Sequence, residues 1–153
     1  MLDSVNWTLA PYEALTLDDL YDLIQARIEV FVVEQDCPYQ DVDGRDRDAL
    51  HLFAKSPAGA VLAYARITAP GVRFDEPSIG RVITTQPGRG KGLGRALMVR
   101  AIEAIESHYP ASPIRISAQQ YLEGFYSSLG FETVSEPYLE DNIPHVEMLR
   151  GSE

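Results

Sequence analysis

The chain has 153 residues, 45% of them hydrophobic, and a formal net charge of −10. The length suits one domain with a buried core, and the charge excludes general binding to nucleic acid or to an anionic membrane. The single cysteine, Cys37, excludes an internal disulfide and a cysteine-based zinc cluster.

Residues 1–9 carry acid and no long apolar run, so neither a signal peptide nor an anchor is expected, and no segment reaches transmembrane length. With one thiol, a reducing cytoplasm is the expected setting. Residues 5–9 alternate as a first strand. Thr16, with Asp18 and Asp19 behind it, marks a helix start. Leu20, Leu23, Ile24, Ile28 and Phe31 then recur at helical spacing, which predicts an amphipathic helix to about Val33. Residues 36–48 are acidic and irregular. Residues 50–54 and 60–67 predict a hairpin joined by Ser56, Pro57, Ala58 and Gly59. After a loop over 69–77, residues 79–84 form the next strand. A largely buried helix is expected over 93–107, wet at Glu103, Glu106 and Ser107 and closed by Pro110. Residues 114–118 make a short apolar strand. Leu122, Phe125, Tyr126 and Leu129 are spaced for a short helix that Gly130 ends. Strands over 131–134 and, after Pro144, over 145–149 complete the chain.

The chemistry concentrates between the strand 79–84 and the helix after it. Gly88, Gly90, Gly92 and Gly94 alternate with Arg89, Lys91 and Leu93. Glycines let main-chain N–H groups turn toward one point, and a helix start adds unpaired donors and a positive dipole end. Arg89, Lys91, Arg95 and Arg100 put four of the 13 basic residues into twelve positions. This is a place for phosphate. A Walker A loop needs Ser or Thr after its lysine, and Lys91 precedes Gly92. A Rossmann fingerprint needs a third glycine that the spacing does not supply. Arg89, Gly92 and Gly94 remain as the pattern.

That pattern resembles the phosphate loop of the GNAT family of acyl-CoA-dependent N-acetyltransferases, Arg/Gln-x-x-Gly-x-Gly/Ala between a strand and a helix. Downstream, Phe125, Tyr126, Gly130 and Phe131 match the family's Phe-Tyr-x-x-x-Gly-Phe. Three further stretches, around Phe31 to Gln35, Cys37 to Asp41 and Ile143 to His145, resemble the ElaA-like branch. The resemblance implies one mixed α/β domain, with a central, mainly antiparallel sheet flanked by helices and splayed between the strands before and after the central helix. It also implies acetyl-CoA as cosubstrate. Amides of Gly90, Lys91, Gly92, Leu93 and Gly94 would hold its pyrophosphate, with charge from Arg89 and Arg95. The pantetheine arm would lie along Val82, Ile83 and Thr84, within reach of Gln119. Phe125 reads as core, and also as a wall of the cofactor site. Tyr126 takes the general-acid role, and a main-chain N–H near Ile83 would polarise the carbonyl.

The acceptor would be a primary amine of a small molecule or peptide, cationic in its resting form. Stripping a proton from an amine of pKa about 10.4 at pH 7 costs about 4.6 kcal/mol, so the base is the larger problem. Some family members carry a carboxylate on the strand before the glycine loop, and residues 79–84 contain none. Glu34, His51 and His145 remain. His51 reads as a structural histidine and Glu34 as a solvated helix end or a base, while His145 is a candidate for the acceptor side. Asp36, Asp41, Asp43, Asp46 and Asp48 read as a solvated loop, or as a lure for a cationic amine. An EF-hand aligned on Gly44 fails at Tyr39 and Leu50, so no metal is expected. A non-catalytic acyl-CoA-binding or sensing module is the alternative, and an ATP-binding loop a third. The oligomeric state stays open, with a dimer compatible.

Overall fold

The computed structural model describes residues 5–151, so the reading of the first four residues lies outside it. Two sheets carry the strands. In the first, β1 (Asn6–Pro11), β2 (Leu50–Lys55), β3 (Val61–Thr68) and β4 (Ser78–Thr84) pair antiparallel in that order. In the second, β5 (Ile114–Gln119) pairs with β8 (Ile143–Arg150), which also pairs with β6 (Glu132–Thr133) and β7 (Tyr138–Glu140). Every β3 residue is buried, because helices cover both faces of the sheet there.

Helix α1 (Leu17–Ile28) starts where expected, with the Asp19 amide donating to Thr16 Oγ1 at 2.9 Å. It does not run on as a plain α-helix. A wide π turn follows over Glu29–Glu34, closed by the Gln35 amide on the Val30 carbonyl at 3.2 Å. Leu23, Arg27 and Val30 face inward, and Ile28, read from the sequence as apolar face, is 37% exposed. Leu23 and Val30 pack with Phe53, Tyr64 and Ile83 on one side of the first sheet. Helix α2 (Leu93–His108) covers the other side, setting Leu93, Leu97, Met98, Ala101 and Ile105 into the main core. Residues from both sheets share that core, and Tyr126, from the short α3 (Glu123–Ser127), joins it.

β7 has no counterpart among the predicted elements. Its link to β8 is a two-residue turn, Asp141 and Asn142, both with positive φ (51° and 65°). That is the backbone of a type I′ hairpin, which Asp and Asn tolerate. β8 therefore begins at Ile143, before Pro144 rather than after it. The predicted strand over 131–134 shrinks to two residues, because Phe131 turns into the core instead.

One backbone bond, from the Arg115 amide to the Pro77 carbonyl at 3.2 Å, ties the first sheet to the second at the start of β4 and β5. Beyond it the two strands belong to separate sheets, and their later residues line the two walls of a cleft.

Candidate active site

The cleft has a volume of about 550 Å³. Val82, Ile83, Thr84, Arg89, Gly94, Gln119, Phe125, Tyr126, Glu34 and His145 all line it, so residues far apart in the chain meet there. Gly90, Lys91 and Gly92 lie between the wall residues Arg89 and Gly94 and are exposed. Leu93 does not face the cleft; its side chain is buried in the core.

The glycine loop takes its shape from backbone angles that only glycine adopts cheaply: φ is +78° at Gly90 and +74° at Gly92. Among the described residues, no main-chain N–H from Gly90 to Arg95 donates a hydrogen bond; the first helical bond is from Ala96 to the Gly92 carbonyl at 3.2 Å. Six consecutive free donors at a helix start suit an anion with several oxygens. Gly88 plays another part. It is buried, and a Cβ there would stand 2.2 Å from the Leu62 carbonyl oxygen. Its lack of a side chain is what lets the loop cross β3.

Arg89 spans the cleft mouth. Its Nε donates to the Thr84 carbonyl at 3.1 Å and its Nη2 to Glu34 at 2.6 Å. Glu34, read from the sequence as a solvated helix end or a base, is engaged by that ion pair. Arg95 turns from the loop to Ser128, donating to its Oγ at 2.7 Å, with its guanidinium 5.6 Å from the Phe125 ring centre. Gln119 donates to Gln35 at 3.4 Å, so the end of β5 reaches the residue after the π turn.

Tyr126 is buried, yet it borders the cleft, and among the described residues its hydroxyl has no hydrogen-bond partner. Burial, and then the neighbouring Tyr121, push its pKa up to about 12. His145 stands opposite Gln119 in the β5–β8 ladder. Its Nδ1 donates to the Ile143 carbonyl at 2.6 Å, which assigns the tautomer of the neutral ring and puts that ring's lone pair on Nε2. Tyr138 stacks on the ring at 6.2 Å. His51 is elsewhere: its ring bonds the Tyr64 hydroxyl at 2.7 Å and the Asp46 carbonyl at 2.8 Å, and burial lowers its pKa. It is the structural histidine that its strand position suggested.

The acidic loop is solvated only in part, with Asp36 and Asp48 exposed. Asp41 and Asp46 are buried. Arg27 pairs with Asp41 at 3.0 Å and Asp46 at 2.8 Å, while Arg66 pairs with Asp43 at 2.8 Å and Asp46 at 3.1 Å. Arg81 Nε lies 2.8 Å from Asp41, and its Nη2 3.3 Å from Asp43. These three aspartates are matched by three arginines, so Asp41, Asp43 and Asp46 offer no net charge with which to draw a distant amine. Burial acts to raise the pKa of Asp43 and of Asp46, but arginine hydrogen bonds and charges outweigh it and hold both below the ordinary value.

That network also grips β4 at its irregular point. Arg81 has φ of +51°, and the register with β3 shifts so that Arg81 and Val82 together stand against a single residue. This is a β-bulge, which bends the strand and re-aims its neighbours. It lies directly before Ile83 on the cleft wall. The sequence signal for it was absent, because arginine is not a residue expected at positive φ.

Residues 20–150 match the acetyltransferase (GNAT) domain family. The chain is 40% identical to the protein ElaA of Escherichia coli K12 over 148 residues, 95% of this chain and 96% of that one. The crystal structure of Escherichia coli ElaA superposes with a TM-score of 0.89 over 95% of this chain and 99% of that one. An acyl-CoA N-acyltransferase from Pseudomonas aeruginosa, also solved by crystallography, gives a TM-score of 0.92 at 47% identity, covering 97% of this chain and 100% of that one. Splayed sheets, an amide-rich loop and relatives matched along nearly their whole length agree, and the chain belongs to the GNAT family of acyltransferases, in its ElaA-like branch.

Proposed function

We propose that the protein transfers an acetyl group from acetyl-CoA to a primary amine of a small molecule or peptide, by direct attack of the amine on the thioester. The observation that carries this reading is a run of unbonded amides beside a cleft that also holds the Tyr126 hydroxyl and the free nitrogen of His145. The donor set fits a pyrophosphate: amides from Gly90 to Gly94, and Arg89, which would exchange Glu34 for phosphate. The Arg89–Glu34 pair is partly exposed, with side chains 44% and 30% accessible, and such pairs give way at little cost.

Val82, Ile83 and Thr84 would guide the pantetheine arm on one wall, with Gln119 at the end of the other. A main-chain N–H near Ile83, aimed by the bulge, would polarise the carbonyl. His145 Nε2 would take the amine proton, the costly step at about 4.6 kcal/mol for an amine of pKa about 10.4. Tyr126 would return a proton to the departing sulfur.

A thermal-shift series with acetyl-CoA, longer acyl-CoAs and ATP, followed by measurement of CoA release over a panel of amines and peptides, tests this. Stabilisation by acetyl-CoA together with release on a primary amine supports it. Binding with no release on any amine leaves a sensing module, and tighter binding of ATP overturns the reading.

A further inference from the structure

We infer that the Glu140 carboxylate and the His145 ring together form the seat for the primary ammonium group of the acceptor. The inference deepens the proposed amine acylation and rests on it. Glu140 was not singled out by its position in the sequence; the β7–β8 hairpin brings it beside His145. Both residues line the cleft that holds Tyr126 and Ile83.

The two oxygens of Glu140 differ. Oε1 accepts from Ser117 Oγ at 3.0 Å and from Arg73 Nη2 at 3.2 Å. Oε2 faces His145 Nε2 at 4.0 Å, beyond hydrogen-bond reach. In the neutral ring Nε2 carries the lone pair, because the Ile143 carbonyl takes its hydrogen bond from Nδ1–H. Two acceptors thus stand 4.0 Å apart, and among the described residues neither receives a hydrogen bond. A tetrahedral nitrogen placed about 2.9 Å from each satisfies both through two of its own hydrogens. A primary ammonium has those hydrogens and one charge for the carboxylate; an alcohol has one hydrogen, and a quaternary ammonium none.

The seat is rigid on its protein side. Arg73 and Ser117 fix Glu140, the Tyr138 ring stacks on His145, and the Tyr138 hydroxyl bonds Ser117 Oγ at 2.6 Å. In the proton step the substrate N–H bond breaks and an Nε2–H bond forms. The electron pair left on nitrogen becomes free for the thioester carbon, and the new imidazolium stands next to Glu140.

The test uses the full-length protein with 15N-labelled histidine and follows the imidazole nitrogens by NMR during titration with n-butylammonium chloride, His145→Gln identifying the His145 signal. The expected result is a saturable movement of the His145 Nε2 signal, with His51 and His108 unmoved, and at least tenfold weaker binding in Glu140→Gln. Tetramethylammonium should leave the signal in place. No saturable movement in the wild type, or equal movement in Glu140→Gln, overturns the seat. Kinetics with the best amine of the panel separates the two proposals. A KM for that amine raised tenfold or more in Glu140→Gln, at unchanged acetyl-CoA affinity, supports the seat; an unchanged KM overturns it while acylation stands. A seat seen by NMR with no amine ever acylated overturns the transfer reaction instead.

Discussion

Tyr126 packs its ring edge-on against Phe125 and Phe131, at 5.2 and 6.1 Å, while lining the cleft. With its pKa pushed up to about 12 it keeps its proton at neutral pH, as a general acid must. Tyr126→Phe retains the packing and removes only the hydroxyl, the proposed acid. Turnover should fall about tenfold, at the modest end of acid–base effects, with acetyl-CoA affinity by calorimetry unchanged; a loss of affinity would make Tyr126 a binding residue. Gly88 poses a packing question instead. A methyl group there meets the Leu62 backbone at 2.2 Å, and Leu62 lies in β3, which cannot yield without opening the sheet. Gly88→Ala should cost about 2–3 kcal/mol, in the range of overpacked cores, read as a lower denaturant midpoint; an unmoved midpoint would disprove the close approach. In the sequence Gly88 was indistinguishable from Gly90 and Gly92, because what demands it is Leu62, twenty-six positions away.

At the scale of elements, the bulge in β4 gives the sharpest expectation. Within a regular strand glycine is worse than alanine by roughly 0.5–1 kcal/mol. At position 81, with φ of +51°, the order should reverse. Arg81→Gly and Arg81→Ala both lose the pairs with Asp41 and Asp43, but only glycine takes the backbone angle without strain. The glycine variant should be the more stable by about 1 kcal/mol, measured as the difference between the two in urea unfolding; alanine at or above glycine would sink the idea. Elements set by local pattern were legible: α2 from its apolar spacing, β2 and β3 from their hairpin, the start of α1 from Thr16. The π turn, the bulge and β7 were not. Each depends on what the segment packs against, and β7 consists of three residues whose partner strand supplies all its pairing.

For the whole molecule, the buried charge network predicts the acid limb of stability. Asp43 and Asp46 have folded pKa values below the unfolded value of about 3.9. Such groups stabilise the fold above that value, and their contribution is lost as pH falls below it and through the folded pKa. His51 acts in the same direction at a higher pH, since its lowered pKa means that the unfolded chain binds protons first below about 6.5. The thermal midpoint should therefore decline gently below pH 6.5 and steeply below about pH 4, and the steep part should be smaller in Asp43→Asn. A midpoint flat from pH 6 to pH 3 would contradict the network.

By itself, the amino-acid sequence determined the periodic helices, the glycine spacing before α2 and the two motifs that mark the acyltransferase family, because each is written in residues close together along the chain. The folded arrangement was needed to show that Arg27 is a core residue, that Asp41, Asp43 and Asp46 are paired with arginines, that Glu34 holds Arg89 and that Glu140 faces His145. Those facts depend on desolvation and on partners brought in from elsewhere in the fold, from 14 residues away for Arg27 and Asp41 to 55 for Glu34 and Arg89, or across a hairpin turn for Glu140 and His145. A charged side chain can be buried only where its counter-charge arrives with it, and nothing in the local pattern says which partner that is.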